Sequence, residues 1–314
     1  MKLGRIGILC AAAALAAAAQ AAASPEQRLA DRYAPIAVLK AQSAPCDRGG
    51  EGWRPVAVDR LFGNRAVRLV GPTGAKPAPT AADLQGKSAD DYLDFPGNPL
   101  DPGCRYEQAA RRIFRGSPSV AYARVVSAPH RIALQYWLYY YFNDFNDKHE
   151  SDWEGIQLSF AADSAREALR KRPLEVAYAQ HEGGELAAWD NRKLERVGTH
   201  PLVYVASGSH ASHYSSALWL GHSASEGWGC EDTRGPSRRV PLHAVLLTSR
   251  LAWLGYEGRW GERGDGPNTG PTGPNTKTRW RSPLTWQDGL RGRSLQVPAA
   301  VTLGQSVTGA FCGA

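Results

Sequence analysis

The stretch LQYWLYYYFNDFNDKHESDWEGIQLSF, residues 134–160, decides the fold of this chain. It opens with an aromatic run typical of a strand, continues through a polar segment rich in carboxylates, and closes on a second strand. In that second strand Ile156, Leu158 and Phe160 alternate with small or polar residues, which indicates a half-buried β-strand. The pattern predicts two strands joined by a loop that carries a functional site.

Two acids at the start of the second strand, Asp152 and Glu154, stand two residues apart. Alternate residues of a strand face the same side, so both carboxylates lie on one face, about 6.6 Å apart along the backbone. If the two strands pair as a hairpin, Asp144 comes near Asp152, and His149 lies in the loop between them. Four side chains then share one pocket: Asp144, His149, Asp152 and Glu154.

Such a pocket would concentrate negative charge in a partly buried place, which is costly unless a cation relieves it. The four residues therefore predict a divalent metal site. Mostly oxygen ligands favour Ca²⁺, Mg²⁺ or Mn²⁺ over Zn²⁺. The alternative is a set of solvated loop acids beside a surface histidine.

Further histidines follow two other predicted strands. His181 comes directly after residues 174–180, and His210 and His213 follow residues 201–206. Because sites assemble at strand ends, these imidazoles are candidates for the same pocket. If the protein is an enzyme, His181 and His210 are the acid/base candidates.

Many short strands and abundant turns predict a mostly β protein, a jelly-roll-like β-sandwich with short helical decorations, in a single domain over residues 24–314. We expect helices near 25–33, 101–114 and 164–171. The Gly/Pro-rich segment 255–283 cannot be a helix or a central strand. Tryptophans flank and punctuate it, so we expect it to pack onto the body of the protein.

Residues 1–23 read as a secretory signal peptide, with a basic start, an Ala-rich apolar core and small residues before the cleavage point. No later stretch is apolar enough to span a membrane, so we expect an extracellular or periplasmic protein without a transmembrane segment. The net charge of +7 comes from scattered basic residues. Without a basic helix or an aromatic-basic register, nucleic acid is not an expected partner.

Four cysteines remain after the signal peptide, and an even number in an exported protein predicts two disulfides. Three connectivities are possible, and we favour the sequential pairing Cys46–Cys104 and Cys230–Cys312. A cysteine metal site is the alternative. The sequence has no Cys-x-x-Cys pair, which speaks against it.

Several long motifs resemble the vacuolar protein sorting-associated protein sixty-two family. They are residues 149–154 (HESDWE), 181–184 (HEGG), 200–211 (HPLVYVASGSHA), 256–261 (YEGRWG) and 270–274 (GPTGP). This resemblance spans most of the mature chain, but the family it points to implies no defined activity.

Residues 131–184 also resemble, more distantly, the necrosis- and ethylene-inducing-like proteins. These carry Gly-His-Arg-His-Asp-Trp-Glu after an aromatic strand, whereas here Lys148, Glu150 and Ser151 replace the motif's Gly, Arg and second His. Members are secreted β-sandwich cytolysins in which such residues surround a divalent metal at a sphingolipid headgroup site. Carried over residue by residue, the resemblance implies a metal at the four residues named above, without the lipid specificity or toxicity.

Together these observations predict an exported, monomeric protein that uses a divalent cation to bind a glycan or lipid headgroup at a cell surface. Two other functions stay open. One is a metal-dependent hydrolase of phosphoester or glycosidic bonds, with His181 or His210 as acid/base. The other is an ion with a structural role alone, on a protein that acts through another surface.

Overall fold

The computed structural model describes residues 23–47, 49–181, 183–223, 227–290 and 295–297, with backbone only for 220–223, 227–228 and 295–297. It is mostly β with short helices, as predicted. The strands are β1 Ile36–Lys40, β2 Arg68–Gly71, β3 Gly74–Pro77, β4 Tyr92–Asp94, β5 Val120–Ala128, β6 Arg131–Asn143, β7 His149–Phe160, β8 Glu175–Gln180, β9 Gly183–Ala188, β10 Arg196–Val197, β11 His200–Val205, β12 Ser212–His213, β13 Leu218–Ser223, β14 Gly227–Asp232, β15 Ser237–Pro241, β16 His243–Leu246 and β17 Leu295–Val297.

The α-helices are short, and several single turns of 3₁₀-helix accompany them. The α-helices are α1 Pro25–Tyr33, α2 Arg105–Ile113, α3 Ala165–Ala168, α4 Thr278–Arg281 and α5 Pro283–Asp288. The 3₁₀ turns are Val58–Leu61, Ala81–Leu84, Ala252–Gly255, Gly266–Asn268 and Pro274–Thr276. The three helices expected from the sequence correspond to α1, α2 and α3.

Two sheets form the predicted sandwich. The larger has the strand order β16-β5-β6-β7-β8-β9, and the smaller has the order β10-β11-β1-β15, with β12 paired to β11. Leu39 of β1 and Val203 of β11 belong to the same buried apolar cluster as Val176 of β8. The Tyr178 hydroxyl of the larger sheet also donates to the Leu202 carbonyl of the smaller sheet, at 3.1 Å.

The aromatic strand β6 lies at the centre of the larger sheet and is buried continuously from residue 132 to residue 143. On one face, the Tyr136 hydroxyl donates to the Ala30 carbonyl at the end of α1, at 2.6 Å. On the other, the Trp137 ring lies 5.9 Å from the ring of Trp280 in α4. Burial on both faces explains why this strand reads as an unbroken aromatic run.

The Gly/Pro-rich segment packs onto the sheet, as expected. Its first half contributes Trp260, which is fully buried, next to the buried Trp253. The Trp260 ring contacts Trp153 of β7 at a centroid distance of 5.3 Å. Its second half contains α4 and continues into α5, so the segment is not free of helix. These contacts cover the face of the hairpin opposite the smaller sheet.

The predicted Cys46–Cys104 disulfide is present, with the two Cα atoms 5.5 Å apart. For the predicted Cys230–Cys312 bridge, Cys312 lies outside the described residues, as do residues 1–22 of the expected signal peptide. Within the described part of the chain, none of the helices has the length and apolar character needed to cross a membrane.

The Cys46–Cys104 bridge joins residues 58 positions apart and should stabilise the fold by restricting the unfolded chain. Replacing both cysteines by serine is expected to lower the free energy of unfolding by about 4 kcal/mol. Urea denaturation followed by tryptophan fluorescence measures this. An unchanged midpoint in the double variant would show that the bridge contributes nothing to stability.

Candidate functional site

The pairing of β6 with β7 places the strand acids. Tyr140 lies opposite Asp152 and Leu138 opposite Glu154, so the predicted hairpin is confirmed. β7 begins at His149, three residues earlier than expected, which shortens the polar loop to residues 144–148. β8 pairs with β7 only from Ile156 onward. The acids thus lie where β7 has a partner strand on one side, and side chains from distant segments reach them.

Asp152 is held by His210. The His210 Nδ1 lies 2.9 Å from the Asp152 carboxylate, and the imidazole stacks on Tyr140 with a centroid distance of 4.0 Å and an interplanar angle of 3°. His210 is fully buried, and its Nε2 has no hydrogen-bond partner among the described residues. The nearest carboxylate to Nε2 is Glu51, at 3.9 Å. Glu51 itself accepts from the backbone amides of Trp53 and Gly208.

Glu154 is compensated by Arg279 from α4. The guanidinium lies 3.2 Å from the Glu154 carboxylate, donates to the Trp153 carbonyl at 2.7 Å and covers the Trp137 ring at 4.2 Å. Burial raises the pKa of Glu154, and the Arg279 charge opposes that rise. Arg279 therefore stabilises a carboxylate that would otherwise be costly to bury.

His149 lies at the start of β7, buried between polar groups. Its Nε2 is 3.5 Å from the Asp147 carboxylate, and its Nδ1 is 3.3 Å from the Glu150 carbonyl. Burial opposes protonation of this imidazole, but Asp147 and Asp152 outweigh it and raise its pKa. His149 therefore lies within electrostatic range of Asp152, while its direct contacts are with Asp147 and the Glu150 carbonyl.

Asp144 has a different environment. This residue lines a cavity of about 170 Å³ together with Glu51, Trp53, Lys148 and Ser207, whereas Asp152 does not line it. The Asp144 carboxylate makes no hydrogen bond or ion pair with any described residue. We name this space the acidic cavity. It connects to the strand acids through Glu51 and His210 and not through direct contact between Asp144 and Asp152.

The other two predicted histidines meet at an acid that sequence reasoning missed. The Glu231 carboxylate on β14 lies 2.8 Å from His181 Nε2 and 3.0 Å from His213 Nε2, and accepts from the Ser209 hydroxyl at 3.1 Å. Burial opposes ionisation of Glu231, but the two imidazoles outweigh it and hold its pKa well below the usual range. Burial likewise opposes protonation of His181, yet Glu231 raises its pKa to about 10.

Three charged partners were thus absent from the sequence prediction: Glu51, Glu231 and Arg279. Glu51 and Arg279 lie far along the chain from the groups they contact, whereas Glu231 is 18 positions from His213, and none of the three belongs to a recognisable motif. The only hint is that buried imidazoles and carboxylates need partners of opposite charge.

Glu150 precedes Asp152 and Glu154 in β7, and its carboxylate connects three other segments to the hairpin through hydrogen bonds. It accepts from the backbone amides of Phe95 and Glu262 and from the Tyr106 hydroxyl, at 3.0, 2.9 and 2.9 Å. Burial raises its pKa to about 8. Ser151, which follows it, has a φ of +61°, and this left-handed residue gives Glu150 and Asp152 separate sets of partners.

Among the described residues, the ligand atoms of Asp94, Glu150 and Glu262 lie within 4.8 Å of one another. The four predicted metal ligands form no such group in that part of the chain. Asp152, Glu154, Asp144 and His149 each have different neighbours, so the four side chains do not converge on one point.

No family model and no curated protein matches the chain. Solved structures do match, among them one described as a toxin fold for microbial attack and plant defense, with a TM-score of 0.43, 15% identity and coverage of 84% of this chain and 91% of that chain. NLPPya in complex with glucosamine matches with a TM-score of 0.41, 12% identity and the same coverage. NLPPya in complex with mannosamine matches at 13% identity, with a TM-score of 0.41 and again 84% and 91% coverage.

A necrosis- and ethylene-inducing protein from the causal agent of cocoa's Witches Broom disease is also similar, with a TM-score of 0.34, 14% identity and coverage of 62% of this chain and 68% of that chain. The more distant of the two sequence resemblances thus reappears among solved structures. The resemblance to the vacuolar protein sorting-associated protein sixty-two family has no matching family model and stays a prediction.

Glu231→Gln removes the charge that compensates two imidazoles. The pKa values of both imidazoles are raised in the folded protein, so their protonated forms stabilise the fold. This stabilisation is fully present below 6.5, the pKa of an unfolded histidine, and is lost as pH rises towards 10. The ionised Glu231 carboxylate stabilises the fold at pH values above 4.5, the pKa of an unfolded glutamate, and this stabilisation is lost as pH falls. We expect the variant to lose about 3–5 kcal/mol at pH 5–6, and less as pH rises. Urea denaturation at several pH values from 5 upward measures the loss of unfolding free energy.

Ser209→Ala is the matched control, because it removes one neutral hydrogen bond to the same carboxylate. We expect a loss of about 1 kcal/mol that does not vary with pH. A penalty for Glu231→Gln that is equal at all pH values would contradict the assignment of charged imidazoles.

Proposed function

We propose that this chain is an exported protein that binds a divalent cation and uses it to hold a glycan or lipid headgroup at a cell surface. The proposed ligands are those predicted from the sequence: Asp144, His149, Asp152 and Glu154. One observation carries the proposal. Asp144 lines the acidic cavity, its carboxylate makes no hydrogen bond or ion pair with any described residue, and Glu51 and His210 connect that cavity to Asp152.

The donor set fits a hard cation. It offers three carboxylates and one imidazole, and oxygen ligands suit Ca²⁺ or Mg²⁺. The unpartnered Asp144 carboxylate and the unpartnered His210 Nε2 mark a polar region whose interactions are incomplete. When bound, the cation would supply positive charge and coordination positions for hydroxyl or anionic oxygens.

The donors do not form a preformed group, so binding includes the cost of bringing them together. We therefore expect a dissociation constant like that of extracellular calcium modules, about 10⁻⁴–10⁻³ M.

The wall of the acidic cavity suits a hydroxyl-rich ligand. Trp53 and Phe142 contribute aromatic surface, while Lys148 and Ser207 contribute polar groups beside Asp144. Small-molecule sites combine such apolar walls with a few placed polar groups. These residues would contact the headgroup next to the cation.

The hydrolase alternative finds less support in the geometry. His210 is fully buried, stacked on Tyr140 and hydrogen-bonded to Asp152, so it positions the strand acid and does not reach a substrate. His181 is held by Glu231, and its pKa of about 10 keeps it protonated at neutral pH. A protonated imidazole cannot act as a general base. The arrangement therefore leaves neither histidine as a general base, and His181 keeps only a general-acid role.

Asp144→Asn tests the cation site without disturbing the fold, since this carboxylate makes no contact that the substitution breaks. We expect the variant to bind Ca²⁺ and Mg²⁺ at least about tenfold more weakly, because a charged ligand is replaced by a neutral one. Isothermal titration calorimetry measures both affinities. Asp265→Asn, an exposed loop acid, is the control and should leave them unchanged. Equal affinities for wild type and Asp144→Asn would remove Asp144 from the site.

The surface-binding part of the proposal needs a separate measurement. We expect binding to a glycan array, or to liposomes with sugar headgroups, to be lost with a chelator and weakened by Asp144→Asn. Amino sugars belong on the array because an ammonium group complements an acidic cavity. Binding that survives the chelator while the melting temperature drops would assign the ion a structural role alone.

A further inference from the structure

A second and larger cavity lies beside the acidic one and has the opposite charge. Its volume is about 760 Å³, within the range typical of small-molecule sites. We name it the arginine cavity after four residues that line it: Arg54, Arg111, Arg115 and Arg238. The two cavities share four lining residues: Gln42, Gly52, Trp53 and Glu107.

The positive charge of the arginine cavity is only partly compensated. Glu107 is the acid on its wall, and Arg111 already pairs with it at 2.5 Å. The guanidinium groups of Arg115 and Arg238 donate to no described residue. Burial lowers the pKa of Arg54, and repulsion from the nearby charge of Arg238 lowers it further, whereas the buried Glu51 attracts Arg238 and offsets part of its charge. An anion between the two arginines would relieve this repulsion.

Arg54 is held in place for such a role. Its guanidinium donates to the Ser119 hydroxyl at 2.8 Å, to the Ser117 carbonyl at 2.9 Å and to the Phe114 carbonyl at 3.2 Å. These contacts fix the group at the cavity wall. Arg238 extends from the neighbouring strand β15, whose register places it opposite Leu39.

The rest of the wall is aromatic and contains a buried polar atom without a partner. Trp53, Phe114 and Tyr141 line the cavity, and Phe114 packs edge-on against Tyr141 at 5.6 Å. Tyr141 is 1% exposed, and its hydroxyl makes no hydrogen bond within the described part of the chain. A buried hydroxyl without a partner is costly, and a ligand oxygen would satisfy it.

We propose that the arginine cavity binds a small ligand in which a phosphate or sulfate ester is attached to a ring. The oxyanion pairs with Arg238, whose planar guanidinium matches tetrahedral oxyanions through two parallel hydrogen bonds, and the nearby Arg54 adds positive charge. The ring lies against Trp53, and the Tyr141 hydroxyl donates to a ligand oxygen. This site does not require the proposed cation, because its charge comes from side chains alone.

Phenyl phosphate, titrated by calorimetry into the full mature chain without divalent cations, tests the proposal. We expect binding that weakens with added salt. Arg238→Gln should weaken it about tenfold or more, because a charge-assisted hydrogen bond is lost. Arg239→Gln is the matched control, because it makes the same change in net charge. Arg239 lies opposite Val38 in the strand register, on the other face of β15 from Arg238. Absent binding, or an equal loss in both variants, would overturn the proposal.

Tyr141→Phe separates a binding role from a structural one. Removing a hydroxyl without a partner should leave the melting temperature unchanged or raise it. A binding role predicts that affinity for phenyl phosphate falls severalfold in the same variant. Unchanged affinity would exclude the hydroxyl from the site.

Two further probes define the ligand class. Inorganic phosphate should bind more weakly than phenyl phosphate, and equal affinities would contradict a contribution from the aromatic wall. Phosphatidylcholine vesicles with and without phosphatidic acid distinguish a lipid headgroup from a soluble ester. Vesicle binding that needs phosphatidic acid and Arg238 assigns the site to a lipid, whereas binding of phenyl phosphate alone assigns it to a soluble ligand.

Discussion

The antiparallel pairing of β6 with β7 is the constraint on which the remaining structure depends. β6 is buried on both faces, so its register is fixed by a hydrogen bond from Tyr136 to α1 on one side and by ring packing of Tyr139 against Trp260 on the other. A slip of one residue would turn every side chain of the strand to the wrong face. The same register sets Asp152 and Glu154 where β8 no longer covers β7. The position of the candidate site is therefore a consequence of core packing.

Charge compensation organises what surrounds these acids. Asp152 meets His210, Glu154 meets Arg279, and Glu231 meets two imidazoles. A buried carboxylate is tolerated only when such partners replace the water it has lost. Two neighbouring spaces depart from this balance, since Asp144 in one and Arg115 and Arg238 in the other make no hydrogen bond or ion pair with a described residue. Gln42, Gly52, Trp53 and Glu107 line both spaces.

Local pattern was sufficient to predict the strands near the hairpin and the first helices. The even number of cysteines predicted disulfides, and the favoured one of three connectivities included the Cys46–Cys104 bridge. The partners of the site were not predictable in this way. Glu51 approaches Asp152 only through His210, and Arg279 contacts Glu154 from 125 positions further along the chain. Nothing in their local sequence indicates that they are buried. Asp144 follows the aromatic strand as expected, but it lines a cavity that Asp152 does not line. Side-chain direction in a loop depends on contacts that strand alternation does not describe.

The left-handed backbone conformation recurs at the site. Ser151, His181 and His210 have φ values of +61°, +52° and +57°, a region that glycine enters freely and most other residues avoid. Each side chain is thus kept at a conformational cost that the surrounding packing must offset. In a search for thermostable variants, glycine at these positions would relax the backbone and at the same time delete a hydroxyl or an imidazole of the network. Selection for heat resistance alone would then replace these side chains early. Variants chosen only by melting temperature would therefore lose groups that a binding assay needs.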